Sequence, residues 1–183
     1  MILSAQTIRL RCRTIEKMEP MISPFHERTR QDGMTFGLSP AGYDVRVEFD
    51  DKEREYSHRV LSPGKFMLAS TIERFVMPID VLASVADKSS WARRGLAVQN
   101  TIIEPGWSGW LTLELTNHGE QDIRIERGMP IAQIIFHELD RPTEQPYSGK
   151  YQDQRRGPVA AIHDKTELSI APAEGKVGVR KHV

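Results

Sequence analysis

Apolar and polar residues alternate strictly in three stretches of the chain. Tyr43, Val45, Val47 and Phe49 alternate with Asp44, Arg46 and Glu48. Leu111, Leu113 and Leu115 alternate with Trp110, Thr112 and Glu114, and Asn117-His118-Gly119 ends that run. Ile123 and Ile125 alternate with Asp122, Arg124 and Glu126, and Gly128 closes the arm. A period of two puts successive side chains on opposite faces, so each stretch predicts a half-buried strand. Ile131–Leu139 is almost continuously apolar and predicts a further strand, and Lys65–Ser70 predicts another after the Ser62-Pro63-Gly64 turn. Helical spacing occurs twice. Ser4 is placed to cap a helix over 5–18 that buries Ile8, Cys12 and Ile15, and Ser89–Arg94 forms a short second turn. The charged stretch 26–33 reads as a loop. Short strands bounded by Gly, Pro or Asn predict a mainly β fold, a barrel or sandwich.

After Leu139 the pattern breaks. Residues 140–158 (DRPTEQPYSGKYQDQRRGP) are rich in Pro, Gly, Gln and basic residues and cannot be core; such a segment is a flexible tail or orders over a ligand. Residues 159–183 carry little apolar pattern and read as a disordered tail. A length of 183 residues suits one domain, here 1–158 with its C-terminal segment. Lys+Arg and Asp+Glu are 25 each, which argues against nucleic-acid binding through bulk charge but leaves room for a local basic pocket. The single cysteine, Cys12, rules out an internal disulfide and reads as a packing residue on the first helix. No apolar run approaches the ~18 residues of a membrane span, and the N-terminus lacks signal-peptide organisation. A soluble, cytoplasmic protein is expected.

Several chemistries are excluded. The chain has no GxxxxGK[ST], GxGxxG or GxSxG motif. His118-Gly119-Glu120 matches half of a zinc-deaminase signature, but one cysteine cannot supply the Cys-x-x-Cys half. The informative stretch is 87–115. Ser89 and Arg93, four apart, share a face if the segment is helical and could seat an anion; from spacing alone a capped surface turn fits better. Glu104-Pro105-Gly106-Trp107 is a turn carrying an acid and an aromatic. Glu114 faces away from Leu113 and Leu115, either into solvent or as a ligand-facing carboxylate able to move protons.

Together these pieces closely resemble the dCTP deaminases of the trimeric dUTPase superfamily. The resemblance rests on Lys88-Ser89-Ser90-Trp91-Ala92-Arg93, Glu104-Pro105-Gly106-Trp107-Ser108-Gly109 and Thr112-Leu113-Glu114-Leu115. It extends to Gly42-Tyr43-Asp44-Val45-Arg46, Gly128–Gln133 and Gly149–Arg155, and covers Met1 to about residue 158. It implies a distorted β-barrel or jelly-roll-like dUTPase-type fold with a short N-terminal helix and one further short helix. It also implies a homotrimer with sites between subunits, closed by a lid over about 140–158. The implied reaction is zinc-independent deamination of dCTP to dUTP and ammonia, with Mg²⁺ carried on the triphosphate and dTTP as an inhibitor.

Roles follow by position. Glu114 matches the general base and acid, Ser89 would orient the water, and Arg93 would stabilise charge. Lys88 and Ser90, with backbone amides of the Trp91-Ala92 turn, would meet phosphates. Lys88 stands where many relatives have Arg. Thr112 and Leu113 would meet the base along the strand edge, and Glu104 would lie near the sugar beside Trp107. Gln133, Tyr147, Lys150 and Gln154 match further nucleotide-binding positions, with Tyr147 and Lys150 at the phosphates. No metal-ligating side chains are implied, and neither nucleic acid nor membrane is an expected partner. The alternatives are a bifunctional enzyme taking dCTP to dUMP and a nucleotide-binding regulator without turnover. A plain dUTPase fits less well, because such enzymes carry Ser-Gly-Leu where this chain has Ser89-Ser90-Trp91.

Overall fold

A computed structural model describes residues 1–13, 19–31, 33–49 and 57–163. In chain order the elements are α1 (Ala5–Arg11), β1 (Ile22–Ser23), β2 (Thr29–Gln31), β3 (Met34–Ser39), β4 (Gly42–Glu48), β5 (His58–Leu61) and β6 (Phe66–Val76). They continue with β7 (Val81–Asp87), α2 (Ser89–Ala92), β8 (Leu96–Val98), β9 (Ile102–Ile103), β10 (Ser108–Asn117), β11 (Ile123–Glu126) and β12 (Pro130–Glu138). The fold is mainly β, as the alternation predicts. A curled sheet runs β8-β10-β6-β4-β12-β7-β9, with β1 on β6 and the β2–β3 hairpin on β4; β5 and β11 form a separate pair. These pairings are antiparallel, so adjacent strands need no crossover helices.

The central strand β10 follows the predicted pattern. Leu111, Leu113 and Leu115 are buried, while Trp110, Thr112, Glu114 and Thr116 share the half-buried opposite face. Glu114 stands opposite Leu68 of β6 and Thr112 opposite Ser70, with a register shift between Trp110 and Thr112. In β12, Ile131, Ala132, Ile134 and Phe136 are fully buried, which accounts for its unbroken apolar sequence. One core joins these side chains to Ile8, Tyr43, Val45, Phe75 and Ile125.

The elements depart from expectation in three places. The first helix ends at Arg11, not at residue 18: the Arg11 carbonyl accepts the Met21 N–H at 3.1 Å, and Cys12 is the C-cap. Ile15 lies outside the described residues. Stretch 26–33, read as a loop, contains β2, which pairs with β3; β2 is exposed throughout, so no apolar pattern marks it. The second helix is one turn with Arg93 as its C-cap, as its sequence predicts. Finally, residues 159–163 lie on the body. The Val159 N–H donates to Thr112 Oγ1 and the Ile162 N–H to the Tyr151 hydroxyl, both at 3.0 Å. The rest of the expected disordered tail, 164–183, falls outside the described residues. Cys12 is buried and free, and burial pushes its thiol pKa up to about 12, as suits a packing residue. Among the described residues no helix is long and apolar enough to cross a membrane.

Candidate active site

A cavity of about 570 Å³ opens beside β10. Its floor is the polar face of β10, with Thr112 and Glu114, flanked by Phe66 and Leu68 of β6. One wall is the β9–β10 connection, with Ile102, Glu104 and Trp107. The C-terminal segment forms its cover through Tyr147, Tyr151, Gln154, Val159 and Ala161.

Sequence-distant segments meet here because the turn before β10 is built to receive one. Trp107 Nε1–H donates to the Tyr151 carbonyl at 2.7 Å, Gln152 Nε2 to the Gly106 carbonyl at 3.0 Å, and the Tyr147 N–H to the Pro105 carbonyl at 2.8 Å. Ser108 donates its hydroxyl to the Asp153 carboxylate. Gln154 forms a parallel bridge with Gly109. There the glycine has φ +140°, and a Cβ would sit 2.6 Å from Gln154 N and 2.7 Å from its O, so only glycine admits the segment. The Gln154 side chain donates to the Trp110 carbonyl and to Thr112 Oγ1, both at 2.7 Å. Residues 147–154 are therefore docked against the turn before β10.

Glu114 is the chemically distinctive group. Its side chain stands between Leu68 and the apolar cavity wall, and its Oε2 is buried with no hydrogen-bond partner. Burial raises its pKa above the ordinary 4.5. A carboxyl held in apolar surroundings, facing a cavity large enough for a small organic ligand, is suited to take up and return a proton.

Five predicted site residues line this one cavity: Glu104, Thr112, Glu114, Tyr147 and Gln154. Trp107 is also there, as a wall. Leu113 is fully buried on the opposite face, so its side chain belongs to the core. β8 pairs with β10 only from Leu115 to Asn117, and Gln154 bridges it only at Gly109. Thr112 and Leu113 lie in the gap between. Lys150 is exposed, with Nζ 5.7 Å from the Tyr151 ring centroid.

The remaining predicted residues lie elsewhere in the chain. Lys88, Ser89 and Gln133 line a second cavity of about 270 Å³. Arg93 lines a third, beside Arg94 and Glu120. The helical spacing of Ser89 and Arg93 therefore does not bring them into one cavity of the same chain. Lys88, expected at phosphates, is buried, with its Nζ 2.7 Å from Asp44 Oδ2. Trp91 is buried, its Nε1–H donating to the Pro130 carbonyl at 2.7 Å. Ser90 and Ala92 are exposed on the same turn. The sequence did not single out Phe66, Ile102, Tyr151 or Val159 as site residues. Phe66 and Ile102 are large apolar side chains left 58% and 51% exposed at the cavity, a signal visible only in the fold. Among the described residues no three His, Cys, Asp or Glu side chains converge as metal ligands.

A sequence model of a family described as dCTP deaminase-like matches residues 2–139. The dCTP deaminase, dUMP-forming, of Aquifex aeolicus is 36% identical over 180 residues, 92% of this chain and 98% of that protein. The dCTP deaminase of Novosphingobium aromaticivorans is 38% identical over 162 residues, 75% of this chain and 88% of that one. Among solved structures, EIAV dUTPase aligns over 67% of this chain and 91% of its own, at 23% identity and a TM-score of 0.49.

Proposed function

Because the chain belongs to the dCTP deaminase-like family, we propose that it hydrolyses dCTP to dUTP and ammonia, with Glu114 as general base and then general acid. The observation that carries this reading is the buried, unpartnered Oε2 of Glu114 in the cavity beneath the C-terminal segment. In the reaction a water oxygen attacks C4 of the cytosine as Glu114 takes its proton. The carboxyl returns that proton to N3, then takes the proton of the new C4 hydroxyl and passes it to the amine nitrogen as the C4 carbonyl forms. The C4–N4 bond then breaks and ammonia leaves. A raised pKa favours this shuttle, because the protonated intermediate form is not too strong an acid. The chain's one cysteine cannot form the Cys-containing zinc site of the zinc deaminases, so the carboxyl does what metal-bound hydroxide does there.

Thr112 and the gap beside it would meet the base, and Tyr147 and Gln154 would close over the nucleotide. Ser89 would orient the water and Arg93 would stabilise developing charge. In a single chain these two line other cavities than Glu114, which favours a homotrimer whose sites draw on neighbouring chains. Mg²⁺ would enter on the triphosphate and neutralise part of its charge. dTTP, sharing the triphosphate and deoxyribose, would compete for the same site. A cytoplasmic location goes with nucleotide metabolism.

A second reading is a bifunctional enzyme that carries dCTP on to dUMP. It is favoured by the relative named dUMP-forming, which matches this chain nearly end to end, and by the second acid, Glu104, on the same cavity. One experiment separates the two. The protein is incubated with dCTP and Mg²⁺, then with dUTP, and the nucleotides are resolved by chromatography. dUTP as sole product, with added dUTP surviving, supports the monofunctional reading. dUMP and pyrophosphate support the second, and unchanged dCTP overturns both.

A further inference from the structure

The second cavity lies between the β2–β3 hairpin and the β7–α2 junction, lined by Arg28, Thr35, Asp44, Lys88, Ser89 and Gln133. Its formal charges are not equally available to a ligand. Lys88 is buried and committed to Asp44, whose Oδ2 also accepts from Thr35 Oγ1 at 3.4 Å. Turning that ammonium toward an incoming anion would strand a buried carboxylate, which is costly. Asp87, on the same cavity, accepts the Val98 N–H at 2.8 Å.

Arg28 differs. It is exposed at the cavity mouth, and among the described residues it forms no ion pair. Its neighbour Glu27 is already occupied by Arg9 through two bonds of 2.6 and 2.9 Å. Its backbone is also fixed. The His26 N–H donates to the Tyr43 hydroxyl at 2.9 Å, and the His26 carbonyl accepts from the Leu38 N–H at 3.0 Å. Gly37, at φ +86°, lies so close that a Cβ would meet the Glu27 carbonyl at 2.5 Å. Arg28 is thus a long cation on an anchored base, facing a cavity whose other cation is neutralised.

We propose that Arg28 is a ligand for the phosphate chain of the bound nucleotide, its planar guanidinium pairing with two phosphate oxygens. This rests on the nucleotide reading above. It assigns to the β2–β3 hairpin the charge that Lys88 cannot freely offer.

The test is calorimetric titration of the full chain with inorganic tripolyphosphate, alongside dCTP turnover. Arg28→Gln should weaken tripolyphosphate binding roughly ten- to hundredfold, the range of a charge-assisted contact. Arg28→Lys should recover part of the loss, and Arg30→Gln, two residues on, should leave binding unchanged. For dCTP, Arg28→Gln should raise KM in step and leave kcat within about twofold, as removal of uniform binding does. Wild-type affinity in Arg28→Gln, an equal loss in Arg30→Gln, or no binding by the wild type overturns the proposal. If dCTP is recovered unchanged while tripolyphosphate binding still depends on Arg28, the polyphosphate site stands and the deaminase reading falls.

Discussion

Trp107 and Tyr151, 44 residues apart, are joined by an indole N–H donated to a backbone carbonyl at 2.7 Å. The ring is buried in the turn before β10, and the carbonyl belongs to the segment that covers the Glu114 cavity. Trp107→Phe keeps most of the ring volume and removes the donor. It should cost about 1–2 kcal/mol locally and speed proteolytic cleavage within 140–163, with little change in the global unfolding midpoint. Limited proteolysis and amide exchange would read both.

Gly109→Ala attacks the same docking from the other side. A methyl there meets Gln154 backbone atoms at 2.6 and 2.7 Å, and the residue would be held at φ +140°. Nothing at the contact is a flexible side-chain end, so the segment must lift. The variant should fold, lose protection over 151–154, and show a KM for dCTP raised at least about tenfold. Gln154→Ala should show a smaller effect, because the backbone bridge remains.

Arg46 and Glu73 form a buried pair, with Nε 2.8 Å from Oε1 and the Arg46 N–H 2.9 Å from Oε2. Burial raises the Glu73 pKa, and Arg46 opposes that rise. Arg46→Met leaves a fully buried carboxylate without its cation and should cost about 3–5 kcal/mol. Adding Glu73→Gln removes the charge but retains an acceptor for the Arg46 N–H, and should restore at least half. Denaturant unfolding of the single and double variants measures both terms.

Much of this fold is legible from alternation alone, because β10 and β11 each bury one face; β4 alternates in the same way yet buries both, its Asp44 paired with Lys88 and its Glu48 with Arg127 and Arg156. β2 is not legible, since burial leaves no mark on three exposed residues. The site is legible only in part. Periodicity places Thr112 and Glu114 on one face but cannot distinguish solvent from a cavity, because the cover arrives from residues 147–161. Only the motif resemblance tips that choice. The commitment of Lys88 to Asp44 is likewise invisible in sequence, since the partners are 44 residues apart and meet only through the β4–β12–β7 order.

Glu114→Gln separates chemistry from binding. Turnover should fall below detection while dCTP binding by calorimetry stays within about threefold. The carboxyl also leaves a pH signature. A pKa raised in the folded state means the folded protein holds this proton more tightly, so the associated stability is present below the ordinary value of 4.5 and is lost as pH rises through the raised value. Glu114→Gln lacks that loss. Its melting temperature should gain on the wild type between pH 4 and pH 7, and wild-type kcat should rise with pH with a midpoint above 4.5. A difference in melting temperature that does not change with pH would show that Glu114 titrates as an ordinary surface carboxyl.

If sites form between chains, two dead variants should rescue each other. Glu114→Gln lacks the proton shuttle, and Arg93→Ala lacks the cation lined up in a different cavity of the same chain. In a homotrimer assembled at random from equal amounts, each site takes Glu114 from one chain and Arg93 from a neighbour. About a quarter of sites would then be intact. Co-refolded mixtures should recover roughly that share of wild-type dCTP turnover, while each variant refolded alone stays inactive. If the mixture stays inactive although mass measurement shows mixed trimers, both residues act from one chain, and the C-terminal segment must then bring Arg93 and Glu114 together by a rearrangement larger than its own docking.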